Sequence, residues 1–90
     1  MITRLLTIHG RVQGVYYRDS MRRRALQLGV KGWVRNCSDG SVEAIVYGTT
    51  DAVAAIIEWA KQGPAAAKVS DVRVKEAEGD FDSFEVLPTP

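Results

Sequence analysis

Two hydrophobic periods alternate along this chain, and their order narrows the possible folds sharply. Ile2 to His9 reads as a strand, with Leu6 and Ile8 on one face of a period-two pattern. Asp19 to Leu28 changes period: Met21, Ala25 and Leu28 fall at i, i+4 and i+7 of a helix, and Gly29 supplies its stop. Gly32 to Cys37 and Ser41 to Tyr47 return to the strand period. They are joined by Ser38-Asp39-Gly40, whose Asp-Gly pair signals a hairpin. Val42, Ala44 and Val46 mark the inner face of that second strand. Thr50 offers an N-cap for a helix over Asp51 to Lys61, with Val53, Ile56, Ile57 and Ala60 inward, and Gly63-Pro64 ends it. Lys68 to Glu76 and Ser83 to Leu87 read as two further strands, linked through Gly79-Asp80.

Strand, helix, strand, strand, helix, strand and a short final strand piece form the split β-α-β pattern. It predicts an α+β, ferredoxin-like sandwich: an antiparallel sheet of four to five strands with two helices on one face. A chain of 90 residues, 46% of them hydrophobic, is expected to make a single domain over residues 1–90 around one core. This architecture hosts enzymes, RNA binders, metal carriers and regulatory modules, so only the residues of a site can decide among them.

Charge and composition remove several classes. Twelve basic and eleven acidic residues are mixed along the chain, which argues against non-specific nucleic-acid binding. A lone cysteine, Cys37, allows no intramolecular disulfide and fits a reducing compartment. The opening Met1 to Gly14 lacks the apolar run of a signal peptide, and no stretch approaches a membrane span. A soluble cytoplasmic protein is the expectation. His9 and Cys37, the only histidine and cysteine, do not form a ligand-spaced cluster, so neither a metal nor another cofactor is expected.

The stretch Gly10-Arg11-Val12-Gln13-Gly14-Val15-Tyr16-Tyr17-Arg18 links the first strand to the first helix. Its glycines let successive N–H groups point into one hollow, and the helix start adds unpaired N–H groups and the positive end of its dipole. An arginine at that junction adds a planar fork that matches phosphate oxygens. Taken only as Gly-x-x-x-Gly, the loop reads equally as a chain reversal. The Gly-Lys-Ser/Thr and Gly-x-Gly-x-x-Gly nucleotide motifs are missing. In the second strand, Val34 and Asn36 share a face, so Asn36 points toward the helices near the strand end. Its amide can orient a water without adding charge, or it can cap its own turn.

Gly10 to Arg18 resembles the signature loop of the acylphosphatase family, and Gly32-Trp33-Val34-Arg35-Asn36 resembles its second signature. Asp39-Gly40-Ser41-Val42-Glu43 resembles the family's hairpin. Gly63-Pro64 with Ala67 and Val69 resembles its exit from the second helix, and Phe84-Glu85-Val86 its closing strand. The resemblance implies hydrolysis of the carboxyl–phosphate bond of acyl phosphates by a cofactor-free enzyme. It implies that Arg18 and the backbone of Gln13, Gly14, Val15, Tyr16 and Tyr17 hold phosphate, while Asn36 orients the attacking water. It further implies a small-molecule acyl phosphate partner, with inorganic phosphate or sulfate competing. A monomer that binds neither nucleic acid nor membrane is the accompanying expectation. Tyr16 and Tyr17 stand where family members often have phenylalanine, which keeps the ring and adds a hydroxyl. The tail Leu87-Pro88-Thr89-Pro90 leaves open any contact between chain end and Arg18.

Other readings compete. An RNA-binding module needs aromatics on its central strands, and Ser41 to Tyr47 lacks that pattern. A regulatory or carrier module that binds an anion without turnover stays open. Cys37 has Glu43 six positions on rather than an arginine, which weighs against a covalent thiophosphate route. His9 reads as a strand residue, Arg22 to Arg24 as a solvated helix face, and Trp33 as partly exposed on the face opposite Val34, with proximity to substrate left open.

Overall fold

The computed structural model describes residues 1–90. Its elements are β1 (Ile2–Arg11), α1 (Tyr17–Leu28), β2 (Lys31–Asn36), β3 (Val42–Gly48), α2 (Thr50–Ala60), β4 (Lys68–Glu76) and β5 (Phe84–Val86). The strands form one sheet in the order β4-β1-β3-β2-β5. Leu6, Ile8, Val34, Val42, Ala44 and Val46 turn to one face of it. They join Met21 and Ala25 of α1 and Val53, Ile56 and Ala60 of α2 in a single core. The α+β, ferredoxin-like arrangement is therefore present, with the inner faces that periodicity predicts.

The sheet departs from the expected antiparallel pattern at one edge. β5 pairs with β2 in parallel, Gly32 opposite Phe84 and Val34 opposite Val86, so the sheet is mixed. Chain direction explains it. β2 and β4 are antiparallel to β3 and β1 respectively, and β1 to β3, so β4 ends at the end of the sheet where β2 begins. The connection crosses that end and is held as it passes. Ala77 N–H donates to Thr3 O, the Thr3 hydroxyl donates to Gly79 O at 2.9 Å, and Phe81 packs edge-on against Tyr47. Entering from that end, β5 must run along β2.

Element ends differ from expectation for identifiable reasons. β1 continues past His9 to Arg11 because a bulge at His9/Gly10 shifts the register with β4 and lets pairing resume. Gly10 there has φ +123, and a side chain would collide with the backbone of Lys68 and Ser70. α2 begins one residue early because Thr49, not Thr50, is the cap; its hydroxyl accepts from Ala52 N–H at 3.1 Å. α1 begins at Tyr17, ahead of Asp19, since its N-cap is Tyr16 in a left-handed conformation without any capping side chain.

The two helices are tied together by Tyr17. Its ring lies 5.3 Å from that of Trp59 and its hydroxyl donates to Ala60 O at 2.7 Å. Burial pushes that hydroxyl's pKa well above the ordinary tyrosine value. Gly63, at φ +67, completes the contact, because a Cβ there would sit 2.7 Å from Tyr17 Cε2. Gly63→Ala is therefore expected to destabilise the fold by about 1–3 kcal/mol, through strain at positive φ and displacement of the Tyr17 ring. Urea denaturation measures it; an unchanged midpoint would contradict the close approach.

Candidate active site

The loop between β1 and α1 is anchored by alternate side chains. Val12, Val15 and Tyr17 are buried, while Gly14 and Tyr16 face outward. Gly14 at φ +74 and Tyr16 at φ 63 turn the chain so that it enters α1 directly. No N–H from Gln13 to Asp19 donates to any acceptor in the protein. The intrahelical pattern starts with Ser20 N–H on Tyr16 O at 3.0 Å, and no side chain caps the helix. This run of free donors sits at the positive end of the α1 dipole.

A cavity of about 650 Å³ opens over these donors, bordered by Val12, Gly14, Tyr16, Tyr17, Arg18, Asp19, Arg22, Asn36 and Val86. Arg18 is half-buried and forms no ion pair or hydrogen bond with any protein group, the chain end included. Arg22, one turn on, is exposed and likewise without an ion-pair partner, so two unpaired arginines border the cavity. Its single carboxylate, Asp19, is engaged by Arg23 at 2.8 Å. Asn36 reaches the cavity from the end of β2. Its Oδ1 is buried and accepts no hydrogen bond, an arrangement that costs about 1–3 kcal/mol unless another donor fills it. Together these groups can receive a doubly charged tetrahedral anion beside one neutral hydrogen-bond acceptor.

Of the residues singled out from sequence, Gly14, Tyr16, Tyr17, Arg18 and Asn36 border this cavity together; Gln13 and Val15 do not. Val15 packs in the core. Tyr17 as a whole is only 1% exposed, and its ring packs in the core against Trp59 rather than into the cavity. Gln13 turns its side chain to the β2–β3 hairpin, where Nε2 donates to Cys37 O at 2.8 Å and Ser41 O at 2.9 Å. Those two residues are themselves paired through Cys37 N–H on Ser41 O. The Asp39 carboxylate closes the same turn by accepting from the Ser41 N–H and hydroxyl, bonds that hold its pKa below the ordinary value. Gln13 thus fastens the loop bearing Arg18 to the hairpin bearing Asn36. Sequence reasoning also missed Val86, whose only signal was its place in the closing strand. Trp33 lies on the far face of the sheet under the Arg35 guanidinium, 4.9 Å from its ring centre, and away from the cavity.

Comparison with known proteins agrees with this geometry. The acylphosphatase family model matches residues 5–86. An acylphosphatase of Thiobacillus denitrificans is 59% identical over 85 residues, covering 94% of this chain and 96% of that one. The structure of an acylphosphatase from Coxiella burnetii superposes with a TM-score of 0.92 at 38% identity, covering 96% of this chain and 92% of its own. That of the acylphosphatase from Bacillus subtilis gives 0.92 at 31% identity, covering 97% and 99%. The chain belongs to the acylphosphatase family. It is an enzyme of that class, which acts on acyl phosphates.

The Gln13 clamp has a measurable consequence. Gln13→Leu keeps the bulk and removes both donors, and should cost about 1–3 kcal/mol of stability. Hydrogen exchange should rise at the β2–β3 turn ahead of the rest of the sheet. Uniform exchange with unchanged stability would show that the clamp carries no weight.

Proposed function

We propose that the phosphoryl group of an acyl phosphate is held by the N–H groups of the Gln13–Tyr17 loop and by the Arg18 guanidinium, and that Asn36 orients the water that attacks it. The observation that carries this reading is the uninterrupted run of unpaired backbone donors from Gln13 to Asp19, capped by an unpaired arginine. Donors fixed by the fold need no reorganisation as charge shifts over the phosphoryl oxygens, which is where such transfer gains most from its surroundings. Arg18 gives two parallel hydrogen bonds as well as charge. Water forms a bond to phosphorus as the bond to the acyl oxygen breaks. The carboxylate leaves with the bonding pair, and the water's proton passes to a phosphoryl oxygen of the substrate.

Asn36 borders the cavity beside those donors, and its Oδ1 has no donor in the protein to hold it. A small rotation of the side chain brings this neutral amide to the attacking water, where one hydrogen bond leaves the water's lone pair aimed at phosphorus. The cavity's donors are guanidinium and backbone N–H groups, with one carboxylate already paired to Arg23. That set suits an anion and not a cation, so the reaction runs without a metal. Inorganic phosphate and sulfate compete for the same donors. One chain supplies every group, and we place the active form as a monomer.

Two substitutions separate the roles. Arg18→Lys keeps a charge and loses the fork, so it should nearly abolish turnover and weaken inhibition by inorganic phosphate. Asn36→Ala should lower kcat on the order of 10²-fold with phosphate inhibition nearly unchanged, as expected of a group that acts chiefly in the transition state. Steady-state kinetics on acetyl phosphate measures both. Phosphate binding without turnover by the parent chain would instead make this an anion-binding module. Activity should also survive exhaustive dialysis against a chelator; a loss reversed by one divalent ion would refute the metal-free route.

A further inference from the structure

Asn36 sits where its hairpin is least supported. β2 and β3 stay paired through Asn36 opposite Val42, and one more rung closes beyond it, with Cys37 N–H on Ser41 O at 2.8 Å. β1 gives no backing at that rung, because its pairing with β3 stops at Ile8 opposite Val42. The last rung of a two-strand ladder opens more readily than the rungs inside it. The anion loop meanwhile leaves the sheet after Arg11. Two segments that border one cavity thus lack any backbone ladder between them.

Gln13 joins them. Its Nε2 donates to Cys37 O at 2.8 Å and to Ser41 O at 2.9 Å, the carbonyls of the two residues that form the closing rung. Both acceptors are carbonyl oxygens, so the NH2 end of the amide is the end that fits, and each of its hydrogens has a partner. No other hydrogen bond or ion pair runs from Gln13–Arg18 to Asn36–Ser41. Gly40 N–H on Cys37 O, and the Asp39 carboxylate on the Ser41 N–H and hydroxyl, shape the hairpin from within. Those bonds do not fix where the hairpin lies relative to the loop. The two from Gln13 do, and they are directional, so they fix orientation as well as distance.

We propose that Gln13 is a positioning residue for the attack step: its clamp holds Asn36 at the reach from the phosphoryl group that aims the water. The inference rests on the roles given above to the loop, Arg18 and Asn36. Asn36 and Cys37 share a peptide bond, so a shift of the closing rung is a shift of Asn36. The phosphoryl group is spared that shift. The loop that holds it is fastened separately by Val12, Val15 and Tyr17 in the core. Gln13 therefore acts on turnover through Asn36 and leaves phosphate binding alone.

The test is a double-mutant cycle in kcat on acetyl phosphate: the parent, Gln13→Leu, Asn36→Ala and the double variant. Inhibition by inorganic phosphate is measured in each, at a temperature where circular dichroism shows every variant folded. A fixed misplacement of about 1 Å can cost on the order of 10²-fold in rate, and an Asn36 that still visits its productive position should lose less, about tenfold in Gln13→Leu. Phosphate inhibition should stay within about twofold of the parent's. In the Asn36→Ala background the same change should lower kcat by less than about twofold, because the group it positions is gone. A clamp that merely supports the fold would lower kcat by the same factor in both backgrounds, and that result overturns the proposal. So does an unchanged kcat in Gln13→Leu, or a loss of phosphate inhibition that matches the loss of kcat. Gln13→Met, unbranched and equally without donors, carries the cycle if the leucine variant does not fold. Full turnover in Asn36→Ala alone would overturn the water-orienting role first, and so separates failure of that reading from failure of the clamp.

Discussion

Val12, Val15 and Tyr17 sink into the core at 1%, 6% and 1% exposure, and the main chain between them has little freedom left. Each such side chain is worth about 1.5–3 kcal/mol of burial. That is enough to hold Tyr16 in a left-handed conformation and to keep the intervening N–H groups from folding back onto a protein acceptor. The free donors are a by-product of this hydrophobic anchoring. Left without a protein acceptor, they are available to a ligand at the mouth of the cavity.

Electrostatics follows the same plan. The charges that pair do so away from the mouth of the site or turn acid away from it: Arg23 takes Asp19, Arg35 takes Glu43 across the far face of the sheet, and Arg73 takes Asp71. Arg18 and Arg22 keep their charge unneutralised over the α1 N-terminus. Two unpaired arginines thus border one cavity of a chain whose formal net charge is only +1.

Much of this is legible in the amino-acid sequence. The alternating periods place Leu6, Ile8, Val34, Val42, Ala44 and Val46 on the helix side, where they lie fully buried or nearly so. Gly14, Arg18 and Asn36 were readable because glycine, arginine and a strand-end amide each carry a local chemical signal. Gln13 was not. An amide that clamps a remote hairpin looks the same in sequence as one in a loop that binds a ligand, and only the positions of Cys37 O and Ser41 O reveal the difference. The start of α1 was misplaced for a similar reason. Tyr16 offers none of the cap residues that mark a helix start, and its positive φ is imposed by burial on either side. The parallel β5 was invisible because a three-residue strand carries no sign of its direction; the sheet end from which the chain arrives sets it.

That last strand is not the only distant support the cavity needs. Arg18 and Asn36 lie in the first half of the chain, whereas Val86 joins them by pairing with β2 from the far end of the sequence. The loop before α1 depends on distant chain as well: Tyr17 donates to Ala60 O of α2, and Gly10 and Arg11 pair with Val69 and Lys68 of β4. Loop and cavity wall therefore take shape together in one cooperative step, and a chain cut short before β4 has neither.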